Sequence, residues 1–387
     1  YRSEGYAERD AAKLILEKNL YGLEIDRRAY QLAYFALMMK ARQYNRRILT
    51  LDVRPQVYEP TGYPDGMEYG SLVKVQTPAP CGKGNRQTPA DYVGTPFEKG
   101  AISNLASSVG ASAEKGDVLE PMPEPPKADQ IGMFEDSYKV KLNTWNFRRL
   151  LAQKYDVVVT NPPYMGNKGL NLKMSDYLQI NYTDYKSDSF AAFIIRCGEM
   201  ATPTGFVGMF TPYVWMFIQS YEKLRNNLYK TKNITTLIQF EYSAFEEATV
   251  PVCSFVYQNK KTGEKGGYFR LVDFRGGMEV QRKKYLEALE NPQCGYFYTA
   301  DSDNFAKIPG SPVAYWASEA TLRSFDCQLI NKWVNPRIGL VTGDTDRFLR
   351  FWSEIEKSRI FFSCSCTKES ISSMQKWFPY QKGGSFR

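Results

Sequence analysis

The sequence predicts an α/β fold with a doubly wound, mostly parallel sheet, followed by the start of a separate region. Short apolar runs without alternation, such as Tyr155–Thr160, are typical of strands that are buried on both faces of a parallel sheet. Helix-periodic stretches alternate with these runs along the chain, which is the pattern of βαβ units. Beyond residue 290 the sequence becomes irregular and rich in aromatic residues, and this change indicates a further region.

Composition limits the classes of function that the chain can have. It has 387 residues, of which 43% are hydrophobic, so it can bury an α/β core with room for a second unit. The net charge of +8 favours a polyanionic partner, although solubility alone can explain it. The chain has no histidine, and its seven cysteines form no Cys-x-x-Cys pair. A histidine general base within the chain is therefore excluded, and no conventional metal site is predicted.

No membrane or export signal is visible in the sequence. Apolar runs stay well below membrane-spanning length and no signal peptide opens the chain, so we interpret it as a cytoplasmic protein without membrane contact. Tyr1 is not an initiator residue, and Gly383–Arg387 does not resemble a natural terminus. We therefore expect the chain to be a fragment of a longer protein.

The first 51 residues have the pattern of the second half of a βαβ unit. An amphipathic stretch over 6–19 predicts a helix, and Leu20–Asp26 predicts a short buried strand that ends in acidic residues. Arg27–Arg42 then carries its apolar residues on a helical period. A strand with an acidic end followed by a helix is the second half of a βαβ unit.

Regular patterns fade over residues 52–146. Proline, glycine and serine are frequent there, as in Pro121–Pro126, and hydrophobic periodicity is weak. Irregular stretches of this length are uncommon inside compact domains. We therefore interpret 52–146 as an irregular, partly disordered insertion.

Alternating elements return over residues 147–290. The predicted elements are strands at 155–160, 205–210, 234–240 and 250–257, and helices at 189–200 and 215–229. Residues 291–387 are predicted to form a separate region, with the boundary near 290.

The strongest functional signal is the tetrapeptide Asn161-Pro162-Pro163-Tyr164, which directly follows a predicted strand. Ligands of open α/β sheets lie beyond the carboxyl ends of strands, so the position alone favours a site. An Asn oxygen and the Pro162 carbonyl can accept the hydrogens of a flat amine, and the two prolines stiffen the loop. The Tyr164 ring offers a flat face for a base turned out of a duplex.

This composition suits methyl transfer from a sulfonium donor to an amine, a reaction that needs neither a metal nor a covalent nucleophile. The alternative is an ordinary turn after a strand, because Asn, Pro and Tyr are all found in turns. The position directly after an apolar strand favours the functional interpretation.

With these motifs the sequence resembles the amino-methyltransferases of DNA over most of residues 14–258. The resemblance implies a Rossmann-like, S-adenosylmethionine-dependent methyltransferase fold. In it, 1–51 is the second part of the cofactor-binding half, 147–290 is the catalytic half, and 291–387 is the start of a target-recognition domain. The Gly-rich cofactor loop of the family is expected before residue 1. Asn rather than Ser at 161 favours adenine N6 over cytosine N4 as the methylated atom.

The resemblance also assigns roles to residues around the cofactor. Glu24, with Asp26 as the alternative, corresponds to the acid that binds the ribose hydroxyls, and a strand-end acid or a helix cap is the simpler explanation. Asp188 and Phe190, in Lys186–Phe193, correspond to residues that line the cofactor and adenine pocket. A capping acid and a core ring are equally good explanations for these two.

A second aromatic residue is expected at the adenine. Ala244–Cys253 resembles the segment whose ring stacks on the free face of the base, so Phe245 and Tyr164 would hold the adenine between them. A buried Phe ahead of a strand is the alternative for Phe245.

A narrower resemblance is to the methylases of BREX-type phage-defence systems, the PglX kind. It rests on blocks within the methylase core and on three blocks beyond it. These blocks are Asn19–Asp26, Ala36–Arg42, Asn161–Gly166, Ile308–Trp316, Gly343–Phe348 and Lys376–Gly384.

The resemblance implies a site-specific adenine methyltransferase that acts on double-stranded DNA, with other phage-defence proteins as candidate partners. Two alternatives stay open: an inactive methylase-fold module that binds DNA or protein, and the methylase half of a restriction-modification fusion enzyme. Methylation of another amine or amide, in protein or RNA, is a weaker third option.

Overall fold

The computed structural model describes residues 1–77, 117–126, 135–166, 168–242, 250–328, 330–335 and 343–380. The chain divides into two compact units, Tyr1–Asp326 and Cys327–Arg387. All elements of the predicted α/β fold lie in the first unit.

The strands of the described residues all belong to the first unit. In chain order they are β1 Tyr21–Leu23, β2 Gln56–Tyr58, β3 Val75–Gln76, β4 Asp117–Val118, β5 Tyr155–Thr160, β6 Ala201–Pro212, β7 Asn233–Gln239, β8 Val252–Gln258, β9 Gly266–Arg270 and β10 Phe297–Ala300.

The α-helices of the described residues occur in both units. In chain order they are α1 Glu8–Leu14, α2 Arg27–Arg42, α3 Pro64–Tyr69, α4 Glu135–Ala152, α5 Leu172–Asn181, α6 Ser189–Met200, α7 Glu222–Thr231, α8 Gly277–Glu290, α9 Glu319–Ser324, α10 Thr345–Phe348 and α11 Thr367–Ser372.

The first 51 residues have the predicted order of elements. The amphipathic stretch forms α1 and a π-helical turn at Ile15–Asn19, and β1 follows it. The bounds of α2 are those that its apolar period predicts. Strand β1 pairs in parallel with β2, which lies in the stretch predicted to be an insertion.

The prediction of an irregular insertion over 52–146 is wrong at both ends. This stretch contains β2, α3, the parallel pair β3–β4 and the first part of α4. Strands of two or three residues are too short to show a period-two pattern, so they cannot be predicted from hydrophobic periodicity. The middle of the stretch, 78–116 and 127–134, lies outside the described residues.

The main sheet has six strands in the order β10-β9-β7-β8-β6-β5. Neighbours β5 and β6 are parallel, as are β7 and β9, whereas β8 and β10 run antiparallel to their neighbours. Helices α6 and α7 pack on one face of the sheet with the largest cluster of buried residues, and α8 packs on the other face. The predicted doubly wound α/β fold is confirmed, and the main sheet is mixed, with two parallel and three antiparallel pairings among its described strands.

Strand β5 has the predicted bounds but not the predicted burial. It lies at the end of the sheet, with Val158 against the α6 face, whereas Val157 and Val159 are 61% and 73% exposed on the other face. The prediction that both faces are buried is therefore wrong for the described residues, because the helix that covers β5 lies on one side only.

The boundary predicted near residue 290 is also corrected. Strand β10 pairs with β9 at the edge of the main sheet, and Phe305, Val313 and Tyr315 belong to the main core cluster. The first unit therefore continues to Asp326. Phe305 and Tyr315, two of the aromatic residues beyond the predicted boundary, therefore serve as core of the first unit.

The second unit contains α10, α11 and short 3-10 turns. A parallel bridge joins Ile360 to Trp377, and the rings of Phe361 and Phe378 meet edge to face at 6.2 Å. Within the described ranges, no helix is both long enough and apolar enough to cross a membrane.

Candidate active site

The Asn161–Tyr164 loop begins where β5 ends, beside the end of β6. Thr160 pairs with Met209, so Asn161 leaves the sheet beside Phe210, which stays in β6 and pairs with Ser254 of β8. Asn161 is exposed, Pro162 is buried and Pro163 is exposed. The loop thus has a buried anchor and presents its polar side chain to solvent at the carboxyl edge of the sheet.

The Tyr164 hydroxyl holds the Asn161 side chain. Its oxygen lies 2.7 Å from Asn161 Oδ1 and 3.1 Å from the Phe210 carbonyl oxygen, and its single proton is shared between these two acceptors. Burial raises the pKa of Tyr164 to about 12, so the hydroxyl stays protonated at neutral pH. Since an amide oxygen has two lone pairs, Asn161 Oδ1 can accept a second hydrogen from a ligand.

Ser189, at the start of α6, fixes the other side of the loop. Its hydroxyl donates to the Pro163 carbonyl oxygen at 2.6 Å and accepts from the Met165 amide at 3.2 Å. The Ser189 amide donates to the Met165 carbonyl oxygen at 3.1 Å. No role was predicted for Ser189 from the sequence. Its position directly after Asp188, the N-cap of α6, could have indicated that it lies beside the loop.

Asp188 is the N-cap of α6, where its carboxylate accepts from the Phe190 amide at 3.2 Å. Partial burial raises the pKa of Asp188, while the hydrogen bond from the Phe190 amide acts in the opposite direction. Gly166 forms an isolated antiparallel bridge with Asp188, which brings the end of the catalytic loop to this carboxylate. Asp188 therefore lies beside the loop and serves as the helix cap that was its alternative, and its role at the cofactor stays a prediction.

Phe190 is a core residue. Its side chain is 1% exposed, and its ring packs 5.5 Å from that of Tyr221. Stacking on a base requires an accessible ring face. The predicted role of Phe190 at the adenine is therefore corrected to a packing role beneath the site.

The two acidic residues after β1 have different environments. Asp26 caps α2 and accepts from the Arg28 and Ala29 amides at 2.8 and 2.9 Å, which lowers the pKa of its carboxyl. Glu24 Oε1 accepts from the Asp26 amide at 3.0 Å, at the carboxyl end of β1. Since the Asp26 carboxylate already caps α2, Glu24 is the better candidate to bind a cofactor hydroxyl.

Strands β1 and β5 belong to different sheets of the first unit, but their first residues are in contact. The rings of Tyr21 and Tyr155, the first residues of the two strands, lie 5.6 Å apart. Helix α4 contacts β1 and leads directly into β5. The strands that precede Glu24 and the Asn161–Tyr164 loop are therefore joined by these contacts.

The segment that contains Phe245, residues 243–249, lies outside the described residues. The residues on either side of it are at the catalytic edge, because Val252 pairs with Pro212 and Gln239 with Cys253. The stacking role of Phe245 stays a prediction.

The arrangement suits binding of an amine by oxygen acceptors. Asn161 Oδ1 and the Pro162 carbonyl follow the strand end, and the Tyr164 ring packs partly buried against the core. Among the described residues no group of three or more His, Cys, Asp or Glu side chains could hold a metal ion.

This α/β chain with an Asn-Pro-Pro-Tyr loop at a strand end also matches a family of known proteins. The family described as Eco57I restriction-modification methylase matches residues 18–245, more than half of the chain, and the chain belongs to that family.

Two curated relatives are named as adenine-specific methyltransferases. The adenine-specific methyltransferase PglX of Lacticaseibacillus casei (strain Zhang) is 35% identical over 100% of this chain and 32% of its own length. The adenine-specific methyltransferase BrxX of Escherichia coli O9:H4 (strain HS) is 31% identical over 100% of this chain and 33% of its own length. The chain thus spans about a third of the length of these relatives.

Among solved structures, a nuclease-deletion mutant of the Type ISP restriction-modification enzyme LlaGI, in complex with a DNA substrate mimic, is similar at a TM-score of 0.40. It is 11% identical, and the match covers 70% of this chain and 20% of that one.

Proposed function

We propose that this chain is the catalytic part of a site-specific DNA methyltransferase of a BREX-type phage-defence system. It transfers a methyl group from S-adenosylmethionine to N6 of an adenine that is turned out of the duplex. The observation that carries the proposal is the position of Asn161 Oδ1, held by the Tyr164 hydroxyl at the carboxyl end of β5.

The loop acts on the amine of the adenine. The exocyclic nitrogen donates its two hydrogens to Asn161 Oδ1 and the Pro162 carbonyl, and this directs its lone pair away from the loop. The acceptors need little reorganisation, because Tyr164 and Ser189 already fix the loop on both sides. The Tyr164 ring stacks on one face of the base, and Phe245 is the candidate for the other face.

The residues present suit the cofactor. S-adenosylmethionine supplies an activated methyl group when bound, so the protein needs no metal or covalent nucleophile. Glu24 is the candidate to bind the ribose hydroxyls, because its carboxylate lies at a strand end and Asp26, not Glu24, caps α2. Asp188, with a raised pKa, borders the loop on the other side.

DNA is the proposed substrate because both curated relatives are adenine-specific methyltransferases by name. The net charge of +8 suits a polyanion. Other phage-defence proteins are proposed as partners on the same relationship.

Asn161→Ala tests the proposal in the full-length protein. The variant removes an acceptor that acts on the reacting amine, so methyl transfer to DNA should fall by roughly 100-fold or more. Binding of S-adenosylmethionine, measured by calorimetry, should stay near the wild-type value. Asn304→Ala, in the 3-10 turn Ser302–Lys307, is the matched control. Wild-type turnover of Asn161→Ala would remove the basis of the proposal.

A further inference from the structure

We propose that Phe217 and Trp316 form a second base-binding platform, which stacks on a nucleobase of the DNA other than the target adenine. This inference rests on the proposed function, because it takes the substrate to be DNA. The two residues come from different parts of the chain: Phe217 follows β6, and Trp316 ends the block Ile308–Trp316.

The two rings are exposed and do not cover each other. Phe217 is 37% exposed and Trp316 is 44% exposed. Their centroids lie 5.8 Å apart and their planes are tilted by 51°, so the two rings are not stacked on each other. Trp316 also meets Tyr315 edge to face at 4.9 Å, and the exposed part of each ring is the surface proposed to stack. Base–aromatic stacking tolerates any base, since every base has a π face.

The pair is continuous with the candidate active site. Tyr164 hydrogen-bonds to the carbonyl of Phe210 in β6, and three residues further along the chain is Tyr213. The Tyr213 ring meets Phe217 edge to face at 6.3 Å. Phe217 is therefore connected to the Asn161–Tyr164 loop through β6 and Tyr213, and the platform is proposed to take a base of the strand that presents its adenine at Tyr164.

A buried arginine holds the backbone on which both rings stand. The Arg225 side chain is fully buried and donates to four backbone carbonyls. Two of them, Trp215 and Ile218, flank Phe217, and the other two, Gly310 and Ser311, lie in the block that ends in Trp316. One guanidinium thus fixes both segments at once.

The same block carries backbone strain. Ser311 has a φ of 50°, in the left-handed region that residues other than glycine rarely adopt. Its carbonyl oxygen accepts from Arg225 and from the Tyr229 hydroxyl at 3.1 Å. Strain that is held by surrounding contacts is a feature of functional sites.

A cleft of about 360 Å³ adjoins Phe217, and its polar groups favour a base over a phosphate as the occupant. The cleft is lined by Phe217, Gln219, Glu222, Arg225, Pro309, Gly310 and Pro312. The Arg225 guanidinium already donates to four backbone carbonyls, and the Glu222 carboxylate would repel a phosphate but can accept from a base amino group. The Gln219 amide can both donate and accept.

The test measures the affinity of the full-length protein for single-stranded oligothymidylate at several salt concentrations. Phe217→Ala and Trp316→Leu should each weaken binding by about tenfold, the usual effect of losing one stacked base. Trp316→Phe keeps a flat ring and should bind within about twofold of wild type. The salt slope should not change, since no phosphate contact is removed. Phe35→Ala, an exposed ring on α2, is the matched control.

Two results would overturn the platform. Wild-type affinity of Trp316→Leu would show that no base stacks there. Equal weakening in Trp316→Leu and Trp316→Phe, with a lower melting temperature in both, would show that the pair packs against protein instead.

Failure of the platform can be told apart from failure of the proposed function. Methyl transfer by the wild type together with wild-type affinity of Trp316→Leu would reject the platform alone. Absence of methyl transfer by the wild type, together with the expected affinity losses, would reject the proposed function and leave the platform supported.

Discussion

At the scale of single residues, the Tyr164 hydroxyl contacts the atom on which the proposed chemistry depends most, Asn161 Oδ1. The residue therefore orients the acceptor and also offers a ring for the base. The sequence predicted Asn161 and Tyr164, because the motif and its place after a strand are local features. It did not predict a role for Ser189, since a serine at a helix start is common. It placed Phe190 in the pocket instead of the core, since a phenylalanine at the start of a helix gives the same sequence pattern in either place.

The two functions of Tyr164 can be separated by substitution. Tyr164→Ala removes the ring, so base capture should weaken by roughly 1–3 kcal/mol. Tyr164→Phe keeps the ring and removes only the hydroxyl, so its loss should be nearer to about 1 kcal/mol, the net value of one hydrogen bond. Fluorescence of 2-aminopurine at the target position measures capture, and equal signals from both variants and the wild type would contradict the stacking role.

At the scale of elements, buried arginines join segments that are distant in sequence. Arg196 of α6 is 5% exposed and donates to the carbonyls of Ser71, Val73 and Leu151 at 2.8–3.0 Å. These hydrogen bonds connect the segment Ser71–Val73, which follows α3, to α6, the helix that begins at Ser189. The sequence predicted α2 and β5 at their observed bounds from strong local patterns. It could not predict β2, β3 and β4, because such short strands are defined by their partners.

Replacing Arg196 by leucine should destabilise the first unit strongly. The change leaves three carbonyl groups without their donor in a buried setting, at a cost of about 3 kcal/mol or more. Arg323→Leu is the control, because that arginine is exposed on α9 beside Glu319, and such pairs contribute at most about 1 kcal/mol. Urea unfolding curves measure both variants, and matching midpoints for the two would show that Arg196 does not join the elements.

At the scale of the whole molecule, the first unit is larger than the methylase core that the sequence outlined. Phe305, Val313 and Tyr315 complete its main cluster of buried residues, beyond the predicted boundary near 290. The sequence predicted the fold class, because strands and helices that alternate along the chain are typical of a doubly wound sheet and can be recognised from local patterns. It misplaced the boundary, because an edge strand of four residues and a series of aromatic contacts depend on tertiary packing.

The proposed protein transfers a methyl group from S-adenosylmethionine to adenine in DNA while Asn161 holds the reacting amine, and a genomic measurement examines both parts together. The full-length protein is expressed with neighbouring defence proteins in a bacterium that lacks DNA methylation, and N6-methyladenine is mapped by single-molecule sequencing. Methylation is expected in one sequence motif, and it should be lost in the Asn161→Ala variant. An unmethylated genome despite soluble protein and its partners, or methylation that persists in Asn161→Ala, would contradict the proposal.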